Sequence, residues 1–199
     1  MREIASSGLE PRYEEANVDD AIRIVETRAV DDPEARLQLW SIYRHAFERL
    51  NERTPIHHGG FSAGQFEVVM LDEDFQKYLV YVGDRLVGVT LLTNELGKIP
   101  WLNAPYFERH YPERYHAGEI YFLPAVVIDP QHQDLRRIGA KLLQTAVATL
   151  GEDAVLAVDY SESLRQSLPA FVSRGLGITY KEEILDRLVY QIFYYAPPD

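Results

Sequence analysis

Residues 119–143 read EIYFLPAVVIDPQHQDLRRIGAKLL, and this stretch decides the fold. Its first part, Glu119–Asp129, is an apolar run of the length of a buried central strand. Pro124 lies inside the run. Proline has no N–H to give to a strand ladder, so its position predicts a break or a bulge. After Asp129-Pro130 the period of the pattern changes. Ile138, Leu142, Leu143, Ala146, Val147 and Leu150 recur every three or four residues, which predicts a helix over Leu135–Leu150 with one apolar face. Ala154–Val158 then reads as a second buried strand. A strand, a helix and another buried strand in this order predict a parallel crossover.

The start of that helix carries a chemical implication. The first N–H groups of a helix have no partner within it, and the helix dipole adds positive potential there, so anions bind at such places. Arg136, Arg137 and Lys141 add charge at this start. The whole chain has 31 acidic and 20 basic residues and a formal net charge of -11, so a basic cluster stands out. Arg136–Lys141 is thus a candidate phosphate site; a solvated basic helix face is the plainer reading of the same residues.

Upstream of this stretch, Ala21–Val30 partly alternates and predicts a first strand. Asp31-Asp32-Pro33 supplies an acidic cap and a first-turn proline, and Leu37, Trp40, Tyr43, Phe47 and Leu50 follow at helical spacing, so Pro33–Asn51 reads as a helix. Arg53–Gly60 reads as a loop. Ser62 can cap a second helix carrying Phe66, Val69, Met70 and Leu71. Lys77–Val82 and Leu86–Thr93 read as a hairpin around Gly83-Asp84-Arg85. Asn94–Gly118 is long for a structureless connection, which predicts either short helices or a site-shaping segment. Its aromatic stretch Trp101–Tyr115 reads equally as the lining of an acceptor or acyl-chain pocket and as a packed surface insertion. Downstream, Leu164–Arg174 reads as a helix closed by Gly175, and Ile178–Leu185 and Leu188–Tyr195 as two last strands. Residues 1–20 lack apolar periodicity and read as a flexible tail, leaving 21–199 as a single domain.

This order of elements, with its local sequences, resembles the GNAT N-acetyltransferase superfamily over about Ala21–Tyr195. YLVYVGDRLVGVTLLT (78–93) is similar to that family's central hairpin. AVVIDPQHQDLRRIGAKLL (125–143) is similar to its strand, phosphate loop and helix, and FVSRGLG (171–177) to its helix-to-strand ending. The resemblance implies an α/β (α+β) fold with a mixed, mostly antiparallel central sheet, flanked by helices and splayed at the central strands. It implies acetyl-CoA or another acyl-CoA as co-substrate, with no metal, and transfer of the acyl group to an amine of a small molecule or peptide by direct attack on the thioester. Val126, Val127 and Ile128 would hold the pantetheine arm, and an N–H of Val126 or Val127 would donate to the developing oxyanion. Arg136, Arg137, Ile138, Gly139, Ala140 and Lys141 would cradle the pyrophosphate, and Ser163 is a further donor-binding candidate.

The departures from the family pattern suggest a second reading. In one register Asp134 takes the Arg/Gln position and Arg137 a glycine position; in the other, Arg136 takes the Arg/Gln position and Gly139 the first glycine. Phe171 stands where a tyrosine acid is usual. A GNAT-like domain that binds CoA or another ligand, or regulates, without catalysis is therefore the alternative. A third reading, motivated by the aromatic insertion, is an enzyme for a longer acyl group or an acyl-carrier donor.

For proton transfer, Glu119 at the start of the strand and Tyr121 two residues on are candidates, with Tyr160 and Tyr180 as possible replacement acids. A carboxylate can take a proton from an ammonium directly or through water. An exposed strand-end acid is the other reading of Glu119.

Other classes are excluded by residues that are missing. There is no cysteine, hence no disulfide, zinc-thiolate site or cysteine nucleophile. His57, His58, His110 and His116 lack metal-ligand spacing. No nucleophile elbow, P-loop or dinucleotide fingerprint occurs. The acidic balance opposes binding to nucleic acid or anionic membrane, and no window is apolar enough for a membrane span. The expected setting is the cytoplasm. The final strand is a candidate edge for a homodimer.

Overall fold

The computed structural model describes residues 22–52, 60–132, 135–151, 153–160 and 183–186. Within them lies a five-stranded sheet in the order β1-β2-β3-β4-β5. The strands are β1 (Ile22–Thr27), β2 (Gln76–Val82), β3 (Arg85–Thr93), β4 (Ile120–Ile128) and β5 (Val155–Ala157). The first three pairings are antiparallel and β4·β5 is parallel. The sheet is thus mixed and mostly antiparallel, with the expected crossover through one helix.

Helices cover both faces. On one lie α1 (Pro33–Asn51) and α2 (Ala63–Leu71), together with α3 (Ala104–His110) and α4 (Pro112–His116) of the insertion. Leu39, Ile42 and Tyr43 of α1 and Phe66, Val69 and Met70 of α2 pack there against Leu79, Val89, Phe122 and Val127. On the other lies α5 (Leu135–Ala148), whose Ile138, Leu142 and Ala146 meet Tyr78, Val80 and Leu92. Adjacent residues of β2, such as Tyr78 and Leu79, enter opposite layers because strand side chains alternate.

Local signals explain the element boundaries. Ser62 caps α2 in a reciprocal box with Gln65. Gly83, at φ 59, turns the two-residue β2–β3 connection. The insertion forms a 3-10 turn (Leu96–Lys98), α3 and α4, and the Asn94 side-chain amide closes it by donating to the Gly118 carbonyl at 3.0 Å. Lys77 is fully buried inside β2. Its Nζ donates to the carbonyls of Arg28, at 2.5 Å, and Asp72, tying the end of β1 to the end of α2.

Some expectations are corrected. Leu37 is 69% exposed, so the buried line of α1 runs through Leu39, Ile42 and Tyr43, with Ala35, Trp40, Ala46 and Phe47 half-buried beside it. Leu71 is likewise exposed at the end of α2. Of the expected strand Ile178–Leu185, residues 183–185 are described, and they are exposed and carry no strand. The helix Leu164–Arg174 and the strand Leu188–Tyr195 lie outside the described residues, as do the tail 1–20 and residues 53–59 of the loop. No helix among the described residues is long and apolar enough to cross a membrane.

Candidate active site

The site grows from β4. Its antiparallel register with β3 pairs Gly88 with Ile128, Thr90 with Val126 and Leu91 with Ala125, and then Thr93 with Phe122. Two steps along β3 thus match three along β4, so β4 carries one extra residue around Leu123-Pro124. This is the bulge that Pro124 predicts. Its consequence is visible in the packing. Phe122 faces the α1 layer, and beyond the bulge the residues that do so are Ala125 and Val127, out of step with strict alternation.

On its other side β4 pairs with β5 only at Ile120↔Val155, Tyr121↔Leu156 and Phe122↔Ala157. No described residue pairs with β4 beyond that point, at the same place as the bulge. The rest of this edge is therefore open among the described residues, and Val126 is 38% exposed there.

The direction of the backbone groups follows from one hydrogen bond. Asp129 N donates to Val87 O at 2.7 Å, which fixes which β4 residues face β3. Asp129, Val127 and Ala125 do; Val126 and Ile128 direct their N–H and C=O groups to the open side. Of the two amides proposed from sequence as oxyanion donors, Val126's faces the opening and Val127's faces β3. Pro124 has no amide, so Val126 supplies the first outward N–H past the pairing with β5.

The connection from β4 to α5 is held by Asp129, which the sequence reading did not single out. Asp129 Oδ1 accepts the Gln131 amide at 3.0 Å, and Oδ2 accepts Arg85 Nη2 at 2.9 Å. The His132 amide donates to the Asp129 carbonyl at 3.1 Å. Within α5, Ile138 and Gly139 are buried, Ala140 and Lys141 are half-buried, and Arg137 is exposed. Lys141 Nζ donates to the Ile22 carbonyl at 3.1 Å, at the start of β1. Arg136 is the second residue of α5, its side chain lying outside the description, and Ser163 and Tyr180 lie outside the described residues.

The acid–base candidates are not all brought together. Glu119 precedes β4 and is separated from Val126 by roughly 20 Å of strand. Its carboxylate takes Arg114 Nη1 at 3.3 Å, and its carbonyl accepts the Val155 amide at 2.9 Å, where β5 begins. Tyr121 is half-buried in the α5 layer. Tyr160 is half-buried three residues beyond the end of β5.

The core layer on the α1 side holds a cluster of aromatic rings. Tyr43 stacks on Phe47, with centroids 4.5 Å apart, and meets Phe61 and Phe66. Its hydroxyl accepts the Phe61 amide at 2.8 Å. Burial pushes the Tyr43 phenol up to about 12, and the negative charge of Asp159 acts in the same direction. A separate cavity of about 390 Å³ lies along α2, lined by Phe61, Val68, Phe75 and Pro100 with Asp72 and Lys98; no β4 or β5 residue lines it.

This architecture matches solved structures. A crystal structure of an aminoglycoside acetyltransferase from an uncultured soil metagenomic sample, in complex with sisomicin, aligns with a TM-score of 0.55 at 16% identity, over 88% of this chain and 99% of that one. The two chains share a fold of mixed, mostly antiparallel sheet and flanking helices. A second structure of that acetyltransferase, in complex with trehalose, aligns with a TM-score of 0.53 at 14% identity over the same shares of the two chains. No family model matches the sequence, and no curated protein does. At these identities the likeness is one of fold.

Proposed function

We propose that this chain is an acyl-CoA-dependent N-acyltransferase. The observation that carries the reading is the edge of β4 beyond Phe122, which no described residue pairs. The pairing with β5 stops after Phe122, and the outward backbone of Val126 and Ile128 follows. A pantetheine arm carries amides, and such an arm can lie along this edge as an added strand would, exchanging hydrogen bonds with it. At the end of the edge the chain enters α5, whose N-terminus, with Arg136 and Arg137, suits the phosphates of CoA.

The chemistry assigned to these groups is limited. The Val126 N–H donates to the thioester oxygen as negative charge develops on it, at a place fixed by the sheet. The amine nitrogen attacks the thioester carbon, and the C–S bond breaks. Acetyl is the first donor to test, with longer acyl groups beside it because the insertion is rich in aromatics. An acidic chain suits a cationic amine acceptor, and the aligned acetyltransferase was crystallised with sisomicin.

Isothermal titration of the full chain with acetyl-CoA and with CoA tests the donor. Binding in the micromolar range is expected; no heat at millimolar donor overturns the proposal. Thiol release is then followed with sisomicin, spermidine and a lysine-containing peptide as acceptors. A second reading, a CoA-binding domain without catalysis, is favoured by the distance of Glu119 from Val126. Tight CoA binding with no thiol release from any amine would establish it.

A further inference from the structure

We infer that the cavity along α2 is a binding site for a small neutral compound of one or two rings. The inference stands apart from the acyltransferase reading, since no residue of β4 or β5 lines this cavity.

The floor is built from the core. Phe61, Val69 and Phe75 line it and are no more than 5% exposed. The Phe61 amide donates to the Tyr43 hydroxyl at 2.8 Å. The Phe61 ring meets Phe75 edge-on, with centroids 6.4 Å apart, and Trp101 at 5.0 Å. These contacts need no occupant, so the floor is preformed, as ligand sites usually are. The walls stay open above it. Val68 of α2 is 63% exposed, and Pro100 comes from the insertion. Gly64, near the start of α2, also lines the cavity, and a Cβ there would meet nothing within 4 Å. The volume is about 390 Å³. A cavity of about 150 Å³ with apolar walls already takes benzene, so one or two rings fit here.

Charge then decides the class of occupant. Two charged residues line the cavity, Asp72 and Lys98. An ammonium has three donors. That of Lys98 gives bonds to Asp72 Oδ1 at 2.9 Å and to Asp72 Oδ2 at 2.7 Å, and it pairs with Asp74 as well. Asp72 Oδ1 also accepts the Asp74 amide at 3.0 Å. Burial pushes the Asp72 carboxyl up, but the bonds from Lys98 and the Asp74 amide outweigh it and leave it lowered, so the pair stays ionised at neutral pH. The Gln65 side-chain carbonyl is taken too, by the Ser62 amide of the α2 cap. The charges of the lining are thus spent on each other. An ammonium or carboxylate entering the cavity would give up water and find no free counter-charge, which is costly. A neutral ring has no such loss, and it exchanges loosely held water for contact with Phe61, Val69 and Phe75. A neutral occupant is therefore the one whose charge complements this cavity.

The test is an NMR titration of the isotope-labelled full chain, without acyl-CoA. Benzyl alcohol and indole are the neutral probes; benzylamine and benzoate carry charge on the same single ring. Saturable shifts are expected at the amides of Gly64, Val68, Val69 and Phe75, and none at Val126 or Ile128. The Kd should be of millimolar order for neutral ligands of this size. Benzylamine and benzoate should bind at least about tenfold more weakly. Val68→Ser, at an exposed position, should weaken benzyl alcohol about threefold with the fold intact in the same spectra. Lys98→Gln frees the carboxylates of Asp72 and Asp74, and should tighten benzylamine about fivefold while leaving benzyl alcohol as it was. The inference is overturned if neither neutral probe gives saturable shifts at α2 by about 50 mM. It is equally overturned if a charged probe binds wild type as tightly as benzyl alcohol, or if Val68→Ser leaves every Kd unchanged. None of these results bears on acetyl-CoA binding, so the donor reading is judged separately.

Discussion

Gly88→Ala is the substitution whose outcome the geometry fixes most tightly. Gly88 lies in β3, opposite Ile128, beside the irregularity where β2 and β3 shift register at Val80 and Tyr81. A Cβ there would stand 2.3 Å from the Val127 carbonyl oxygen, 3.0 Å from Ile128 Cα and 3.1 Å from Val80 Cγ1. A carbon usually comes no nearer an oxygen than about 3.3 Å, so β4 must retreat by about 1 Å. Two of the three atoms are β4 backbone and cannot rotate aside. Overpacking of this kind costs about 1–3 kcal/mol. Replacing glycine also restricts the unfolded chain, which returns about 0.5 kcal/mol. A net loss of about 2 kcal/mol follows, and for a chain of this size it lowers Tm by about 4–8 °C. The same displacement carries the outward groups of Val126 and Ile128 with it, so acetyl-CoA affinity should fall about tenfold, the equivalent of 1.4 kcal/mol. Urea denaturation reads the first effect as a lower midpoint at unchanged slope, and titration calorimetry reads the second. Gly64→Ala is the control of opposite sign: nothing lies within 4 Å of its Cβ, and it sits in α2, where alanine is the better helix former. If Gly88→Ala unfolds at the wild-type midpoint, the close approach of β3 and β4 that positions the edge is refuted.

Three further outcomes are expected. Ser62→Ala removes one half of the α2 capping box and should cost about 1 kcal/mol in urea denaturation, with no change in acetyl-CoA binding. Burial depresses the Lys77 ammonium from 10.5 to about 8. Between those values the unfolded chain holds this proton and the folded chain does not, so this group's contribution to stability rises with pH from about 8 to 10.5 and is lost as pH falls back through 8. Lys77→Met should remove that rise; equal slopes in the two proteins over this window would contradict it. Asp129→Ala releases both Gln131 and Arg85 and should raise the Kd for acetyl-CoA several-fold by titration, while a Kd equal to wild type would mean that the loop before α5 is shaped by other contacts.

The fold was legible because its decisive signals are local and redundant. Pro124 announced the bulge by its missing N–H, and the structure has β4 out of step with β3 at that residue. The turn at Gly83 and the cap at Ser62 were readable for the same reason, since each is a backbone demand met by one residue type. Periodicity gave the extent of α1 but misjudged its face. Trp40, Tyr43 and Phe47 suggested a line that begins at Leu37, whereas the sheet contacts a strip turned toward Leu39 and Ile42, and only the packing partner sets that rotation. Lys77 was hidden in an apolar strand because its burial depends on two carbonyls, of Arg28 and Asp72, that sequence does not bring near it.

The charge of the chain has the sign that opposes the polyanionic donor proposed above, and distance resolves the conflict. Charges separated by more than about 8 Å are largely screened at physiological salt, so a net charge of -11 spread over the surface does little at the start of α5. One acid close to that start is already paired. Asp129 stands in the segment that leads into α5, and an unpartnered carboxylate there would repel a pyrophosphate. Its two oxygens are instead occupied by the Gln131 amide and the Arg85 guanidinium. Arg85 thereby links the hairpin turn to the segment before α5 and offsets the charge of Asp129.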